Sequence, residues 1–152
     1  MPLIDYISSN LVELQVKAAN WEDAVRAGGK LLLAQKICKP EYVDAMVQAV
    51  RDMGPYMVLA PGIALAHARP EDGMLKVGMS IINLADPVEF GNEENDPVYL
   101  IISFGGVDHD SHIEMLRTLA LFLMEESNQE LLKTATSKQE LLQALSQEPS
   151  GG

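Results

Sequence analysis

Apolar and polar residues change their spacing along this 152-residue chain, and the spacing predicts its elements. Residues 11–16 alternate weakly and read as a strand. Asn20 then caps a helix, its side-chain oxygen accepting from a backbone N–H, with Asp23 at the third helical position. Trp21, Ala24, Val25, Leu31 and Leu32 make the apolar face of this helix. Gly28-Gly29 weakens it at a point where another backbone can come close. Pro40 suits the first position of a second helix, which carries Val43, Met46, Val47 and Val50 at helical spacing and Arg51 in its last turn. Gly54-Pro55 ends that helix, Gly as a left-handed cap and Pro as the stop.

Residues 57–59 and 63–68 read as two short strands around Pro61-Gly62. Residues 74–84 read as a longer strand and 98–104 as a fully buried one, with a polar, acidic loop over 91–96 between them. Ser111 and Glu114 form an S-x-x-E capping box. The helix beyond it places Leu116, Leu119, Ala120 and Leu123 on one face. Two shorter helices follow over 128–135 and 138–145. Helices, then four or five strands, then helices describe a layered α/β domain over residues 1–146. Residues 147–152 read as a flexible tail outside it.

Composition narrows the classes. Hydrophobic residues make 47% of the chain and charged residues 22%, ordinary values for one globular domain. A chain of this size buries about two-thirds of its surface, enough for a core without staples. Eleven Lys and Arg stand against 22 Asp and Glu, a net charge of −11. That balance argues against nucleic acid and against an anionic membrane surface as partners. An anionic ligand would need a locally positive site. The lone Cys38 excludes an internal disulfide and a cysteine zinc cluster. No apolar run reaches the roughly 20 residues that span a bilayer, and the start lacks signal-peptide character. The cytoplasm is the expected compartment.

Three histidines carry the candidate chemistry. His67 falls at the end of the 63–68 strand, where period two puts Leu65, His67 and Arg69 on one face. Arg69 lies about 6.6 Å along the strand, within reach of a group attached to the imidazole, and a guanidinium fork suits phosphate. A structural histidine beside a surface arginine explains the same segment. His112, following Ser111, reads as the first helical residue, where unpaired N–H groups and the helix dipole attract anions. The dipole disfavours a protonated ring there, while Asp108 and Asp110 favour one. A solvated histidine in a helix-entry loop is the bland alternative. His109 reads as solvent-facing; with Asp108, Asp110 and His112 it matches no established zinc spacing. Cys38 has no nearby histidine and reads as a buried apolar residue. No dinucleotide, P-loop or G-x-S-x-G motif is present.

The segment Gly54-Pro55-Tyr56-Met57-Val58-Leu59-Ala60-Pro61-Gly62-Ile63-Ala64-Leu65-Ala66-His67-Ala68-Arg69-Pro70-Glu71-Asp72-Gly73 resembles the active-site stretch of a sugar phosphotransferase system enzyme IIA domain. The branch is the mannitol/fructose type, and within it the ascorbate-specific component. Trp21-Glu22-Asp23-Ala24-Val25, Asn95-Asp96-Pro97-Val98 and Val107-Asp108 are similar to that branch too, so the likeness runs to about Leu145. It implies a mixed four- to five-stranded sheet flanked by helices, the mannitol/fructose-type enzyme IIA fold. It also implies that His67 takes a phosphoryl group from the histidine phosphocarrier protein HPr and passes it to a cysteine of the IIB component, with the membrane IIC component phosphorylating the sugar during uptake. His112 matches the family's second active-site histidine and Arg51 its helix-terminal arginine. Many relatives carry Pro before the active histidine and Gly after it, where this chain has Ala66 and Ala68. That departure removes no functional group.

No cofactor or metal enters this reading. His112 would donate to the phosphoryl oxygens, Arg51 and Arg69 would stabilise charge, and Met57 and Ile63 would give apolar contact to the visiting proteins. The acidic surface would help steer a carrier with a basic face. Two rivals stand beside it, with a pure binding module of unknown ligand as a third option if no phosphorylation occurs. One is a regulatory relative of the nitrogen branch; the other is a metal-dependent hydrolase built on His67, His109, His112 and Asp108.

Overall fold

The computed structural model describes residues 3–53 and 57–146. Among them are five strands, β1 (Val12–Val16), β2 (Val58–Ala60), β3 (Ile63–Ala66), β4 (Gly78–Val88) and β5 (Val98–Gly105). They form one sheet in the order β1-β4-β5-β3-β2. β1 with β4 and β3 with β5 are parallel; β4 with β5 and β2 with β3 are antiparallel. Five α-helices flank it, α1 (Trp21–Ala34), α2 (Pro40–Met53), α3 (His109–Leu123), α4 (Glu126–Thr134) and α5 (Lys138–Ser146). This is the mixed, helix-flanked α/β sheet expected. The proposed Gly54-Pro55 cap and the 147–152 tail lie outside the described residues.

Two buried polar residues show how the layers meet. Ser80 and Asn83 are three apart on β4, so their side chains leave opposite faces of the sheet. Ser80 donates to the Gly28 carbonyl of α1 at 2.8 Å. A Cβ on Gly28 would stand 2.6 Å from the Ser103 hydroxyl, and one on Gly29 would stand 2.8 Å from Val43 of α2. The glycine pair therefore admits side chains of the sheet and of the neighbouring helix, not another backbone. On the other face Asn83 donates to the carbonyls of Leu132 (3.1 Å) and Ala135 (2.8 Å), closing the end of α4 onto the sheet. Its oxygen accepts from the backbone N–H of Gln15 at 2.7 Å. Gln15 has φ of +55°, and the β1–β4 register shifts between Glu13 and Val16. A buried amide left unpaired would be costly, so Asn83 holds this irregularity in place.

Strand ends depart from periodicity where tertiary bonds compete. β4 starts at Gly78, not at residue 74. Met74 bridges to Cys38, and the N–H groups of Leu75 and Lys76 both go to the Ile37 carbonyl, tying this stretch to the α1–α2 link. At its far end β4 continues past a register shift to pair Val88 with Val98. Pro87 is tolerated there because the ladder is already interrupted. The buried stripe of α3 is Met115, Leu119, Phe122 and Leu123, while Ala120 is exposed.

Candidate active site

His67 lies just beyond β3, which stops at Ala66. The ladder ends early because the Ala68 N–H donates to the Tyr42 hydroxyl at 3.0 Å. Leu65, His67 and Arg69 therefore do not share a strand face as alternation suggested. The imidazole is partly buried, and its Nδ1 lies 2.9 Å from the Leu65 carbonyl oxygen. A carbonyl only accepts, so Nδ1 carries the proton and Nε2 keeps a lone pair. Burial pushes the pKa of His67 below the ordinary histidine value, with the Leu65 carbonyl pulling weakly the other way.

His112 reaches the same place from α3. The cap of this helix is Asp108, one turn before the expected Ser111. Asp108 accepts from the Ser111 N–H at 2.8 Å, and the Ser111 hydroxyl accepts from the Asp108 N–H at 3.2 Å. His112 is thus the fourth helical residue, and its N–H is used on the Asp108 carbonyl at 3.1 Å. The anion-attracting N–H expected at His112 is not free. A Cβ on Gly106 would come within 2.4 Å of the His112 backbone nitrogen, so only glycine lets the helix start this close to β5.

The two imidazole centroids are 5.4 Å apart. The Phe104 ring touches both, at 5.1 Å from His67 and 5.6 Å from His112. Nδ1 of His112 is buried with no hydrogen-bond partner among the described residues. Burial lowers the pKa of His112, repulsion from His67 and His109 adds to this, and Glu71 opposes it. The protonation balance that the flanking residues left open thus falls toward the neutral ring.

A cleft of about 810 Å³ brings His67, Arg69 and His112 together with α2 residues such as Gln48 and Asp52. Arg69 stands at its rim. The side chain is 76% exposed, with guanidinium nitrogens 3.4 Å from Asp72 and 3.6 Å from Glu71. Arg51 does not line the cleft; its guanidinium pairs with Glu22 of α1. Met57 and Ile63 are core residues, 1% and 0% exposed, and offer no contact to a visitor. Val107 and Ile113, at 47% and 38%, are large exposed apolar side chains that line the cleft.

His109 is exposed and also borders the cleft. Among the described residues no three His, Cys, Asp or Glu side chains are placed to hold one metal ion. The ligand set of the hydrolase reading is therefore not assembled among them. Cys38 is buried, and burial raises its thiol to about 11. Sequence reasoning missed Tyr42 and Phe104. Tyr42 adjoins the apolar stripe of α2, and a phenol in that position needs a partner for its hydroxyl, a signal that could have drawn attention to it.

Residues 5–148 match the family model described as phosphoenolpyruvate-dependent sugar phosphotransferase system, EIIA 2. An ascorbate-specific PTS system EIIA component of Shigella boydii is 39% identical over 144 residues, spanning 93% of this chain and 94% of that protein. The solution structure of the mannitol-specific cryptic phosphotransferase enzyme IIA from Escherichia coli has a TM-score of 0.86 at 37% identity, covering 96% of this chain and 99% of that one. The enzyme IIA chain of a mannitol-system complex with phosphorylated enzyme IIB, also from Escherichia coli, has a TM-score of 0.81 at 32% identity, covering 91% and 96%.

Proposed function

The chain belongs to the phosphoenolpyruvate-dependent sugar phosphotransferase system EIIA 2 family, phosphotransferases with a phosphohistidine intermediate, and from that premise we propose that His67 is the phosphorylated residue. It accepts the phosphoryl group from phospho-HPr and passes it to a cysteine of the IIB component. The observation that carries this reading is the 2.9 Å contact from Nδ1 to the Leu65 carbonyl, which leaves Nε2 as a lone-pair nucleophile. Nε2 attacks phosphorus in line. The bond to the carrier's imidazole breaks, and its electron pair returns to that ring. Nδ1 keeps its proton on Leu65 throughout. In the second step the IIB thiolate attacks, and the Nε2–P electron pair returns to His67.

The transition state is loose, so positioning and donors do most of the work. His112 supplies a donor. A buried N–H without a partner is rarer in proteins than a buried lone pair, which favours a bare Nδ1 and a protonated Nε2. The two histidines then hold complementary tautomers, one offering a lone pair and the other an N–H. Arg69 at the rim and Arg51 on Glu22 are reserve cations; each must leave its carboxylates to reach a phosphoryl oxygen.

L-Ascorbate is the proposed sugar, after the curated relatives whose names specify it. Transport rather than nitrogen regulation is the proposed role, with the protein working at the cytoplasmic side of a IIC transporter. No helix among the described residues is long and apolar enough to cross a membrane itself. The test is incubation of wild type and His67→Gln with phospho-HPr, then with purified IIB domains of the ascorbate and mannitol systems. Acid-labile, base-stable phosphate should appear on the wild type, be absent from the variant, and move preferentially to the ascorbate IIB. Phosphate retained on His67→Gln rejects the assignment.

A further inference from the structure

Tyr42, in the first turn of α2, is 0% exposed. Its hydroxyl lies among three backbone groups of other segments. It is 2.8 Å from the Phe104 carbonyl, 3.0 Å from the Ala68 N–H and 3.3 Å from the Ala68 carbonyl. A phenol has one proton to give, so it donates to Phe104, with the Ala68 carbonyl a weaker second acceptor, while its oxygen accepts from the Ala68 N–H. Burial raises its pKa well above the ordinary value, and the proton stays in place at any working pH.

One oxygen thereby joins three elements. Ala68 follows His67 directly. Phe104 is the next-to-last residue of β5, and its ring rests on both imidazoles. A Cβ on Gly105 would stand 2.6 Å from the Tyr42 hydroxyl, so the chain leaves room for that oxygen at this point. Phenylalanine would fill nearly the same volume at position 42. The hydroxyl serves bonding rather than packing, and its bonds end at the residue next to His67 and at Phe104, whose ring touches both imidazoles.

We propose that Tyr42 is a positioning residue for phosphoryl transfer: its hydroxyl sets the backbone at Ala68 so that His67 Nδ1–H meets the Leu65 carbonyl and Nε2 remains the nucleophile. The part concerning rate rests on the function proposed above; the part concerning the tautomer does not.

The test is Tyr42→Phe in the full chain, with two readouts. Nitrogen-15 NMR of the imidazoles should show His67 held as the Nδ1–H tautomer in the wild type and as a mixture in the variant. Single-turnover phosphorylation by phospho-HPr should fall about tenfold, with the concentration of carrier giving half-maximal rate changed less than twofold. A merely structural hydroxyl would lower the melting temperature and leave the tautomer alone. An unchanged tautomer together with a rate within twofold overturns the proposal. If Tyr42→Phe does not fold, 3-fluorotyrosine placed at position 42 alone keeps ring and hydroxyl while its oxygen accepts less well. It should move the His67 nitrogen signals in the same direction by a smaller amount, and unmoved signals overturn the proposal. A wild type that takes no phosphate from HPr defeats the functional reading instead, and the NMR comparison still decides the role of Tyr42.

Discussion

The two imidazoles of the cleft are held by different kinds of support. His67 is held from behind by buried groups: the Leu65 carbonyl on Nδ1, the Phe104 ring on its face and the Tyr42 hydroxyl on the next residue. His112 shares the Phe104 ring but is otherwise held by its helix, whose start is an exposed Asp108–Ser111 cap beside a glycine. Buried bonds act in a low dielectric and leave few alternatives, so they can specify which ring nitrogen bears a proton. An exposed cap competes with water and sets only where the helix begins. The difference fits the division of labour in the proposed function: the atom that would form a covalent bond is fixed closely, whereas a donor to spread charge would tolerate some motion.

The sharpest way to break this comparison is His112→Ala. Removing one preorganised donor from a transition state costs on the order of 100-fold in rate. We expect about that loss in single-turnover phosphorylation, with the His67 Nδ1–H tautomer retained in the NMR spectrum. An unchanged rate would show that the second imidazole only lines the cleft. A changed tautomer would show that the two supports are not independent.

Acidification tests both histidines together. Burial holds each below the ordinary value of 6.5. Between those lowered values and 6.5 the unfolded chain binds protons that the folded protein does not. Stability should therefore fall as the pH drops from about 7 through that window, then level off for these two groups once both are protonated. The carboxyls of Glu22 and Asp108 are held low by their hydrogen bonds and lose their contribution only in stronger acid. Urea midpoints at pH 7.5 and 5.5 should differ in the wild type, and the difference should shrink in a His67→Gln, His112→Ala double variant. A difference of equal size in both proteins would mean that other groups carry it.

How much of this was legible in the chain differs between the two supports. The core pattern of α2, the cap at Asn20 and the run of β5, buried except for the exposed Tyr99, follow from spacing, because local preference and tertiary packing agree there. The start of α3 does not. Asp108-x-x-Ser111 and Ser111-x-x-Glu114 both fit a capping pattern, and the choice between them depends on Gly106 letting the earlier turn pack against β5. The end of β3 was hidden for a similar reason. Alternation continues through Arg69, but a phenol 26 residues away takes the Ala68 N–H that another strand pair would need. Arg51 could be matched to a family position by sequence, yet its pairing with Glu22 is a contact between helices that spacing does not encode.

The cap itself gives a smaller test. Asp108→Ala should lower the melting temperature by about 3 °C and slow phosphorylation less than His112→Ala does. Asp108→Asn should restore most of the melting temperature, since asparagine caps as well as aspartate. If Asp108→Ala slowed transfer as much as loss of the imidazole, the exposed cap would be as exacting a support as the buried one.

The smallest effect is expected at Arg69. Its guanidinium is 76% exposed and already shared between Glu71 and Asp72, so water and two carboxylates screen it from anything bound in the cleft. On that basis Arg69→Ala should change single-turnover phosphorylation by less than about fivefold. In the proposed mechanism, a charge fixed at the rim would add little to a transition state held by two preorganised imidazoles. A loss above tenfold would require the side chain to leave Asp72 and Glu71 and turn inward on phosphorylation. Glu71→Gln would separate the two cases. By weakening the rim pairing it should leave the rate alone if Arg69 stays outside, and raise it if release from the rim limits the approach of the guanidinium to phosphate.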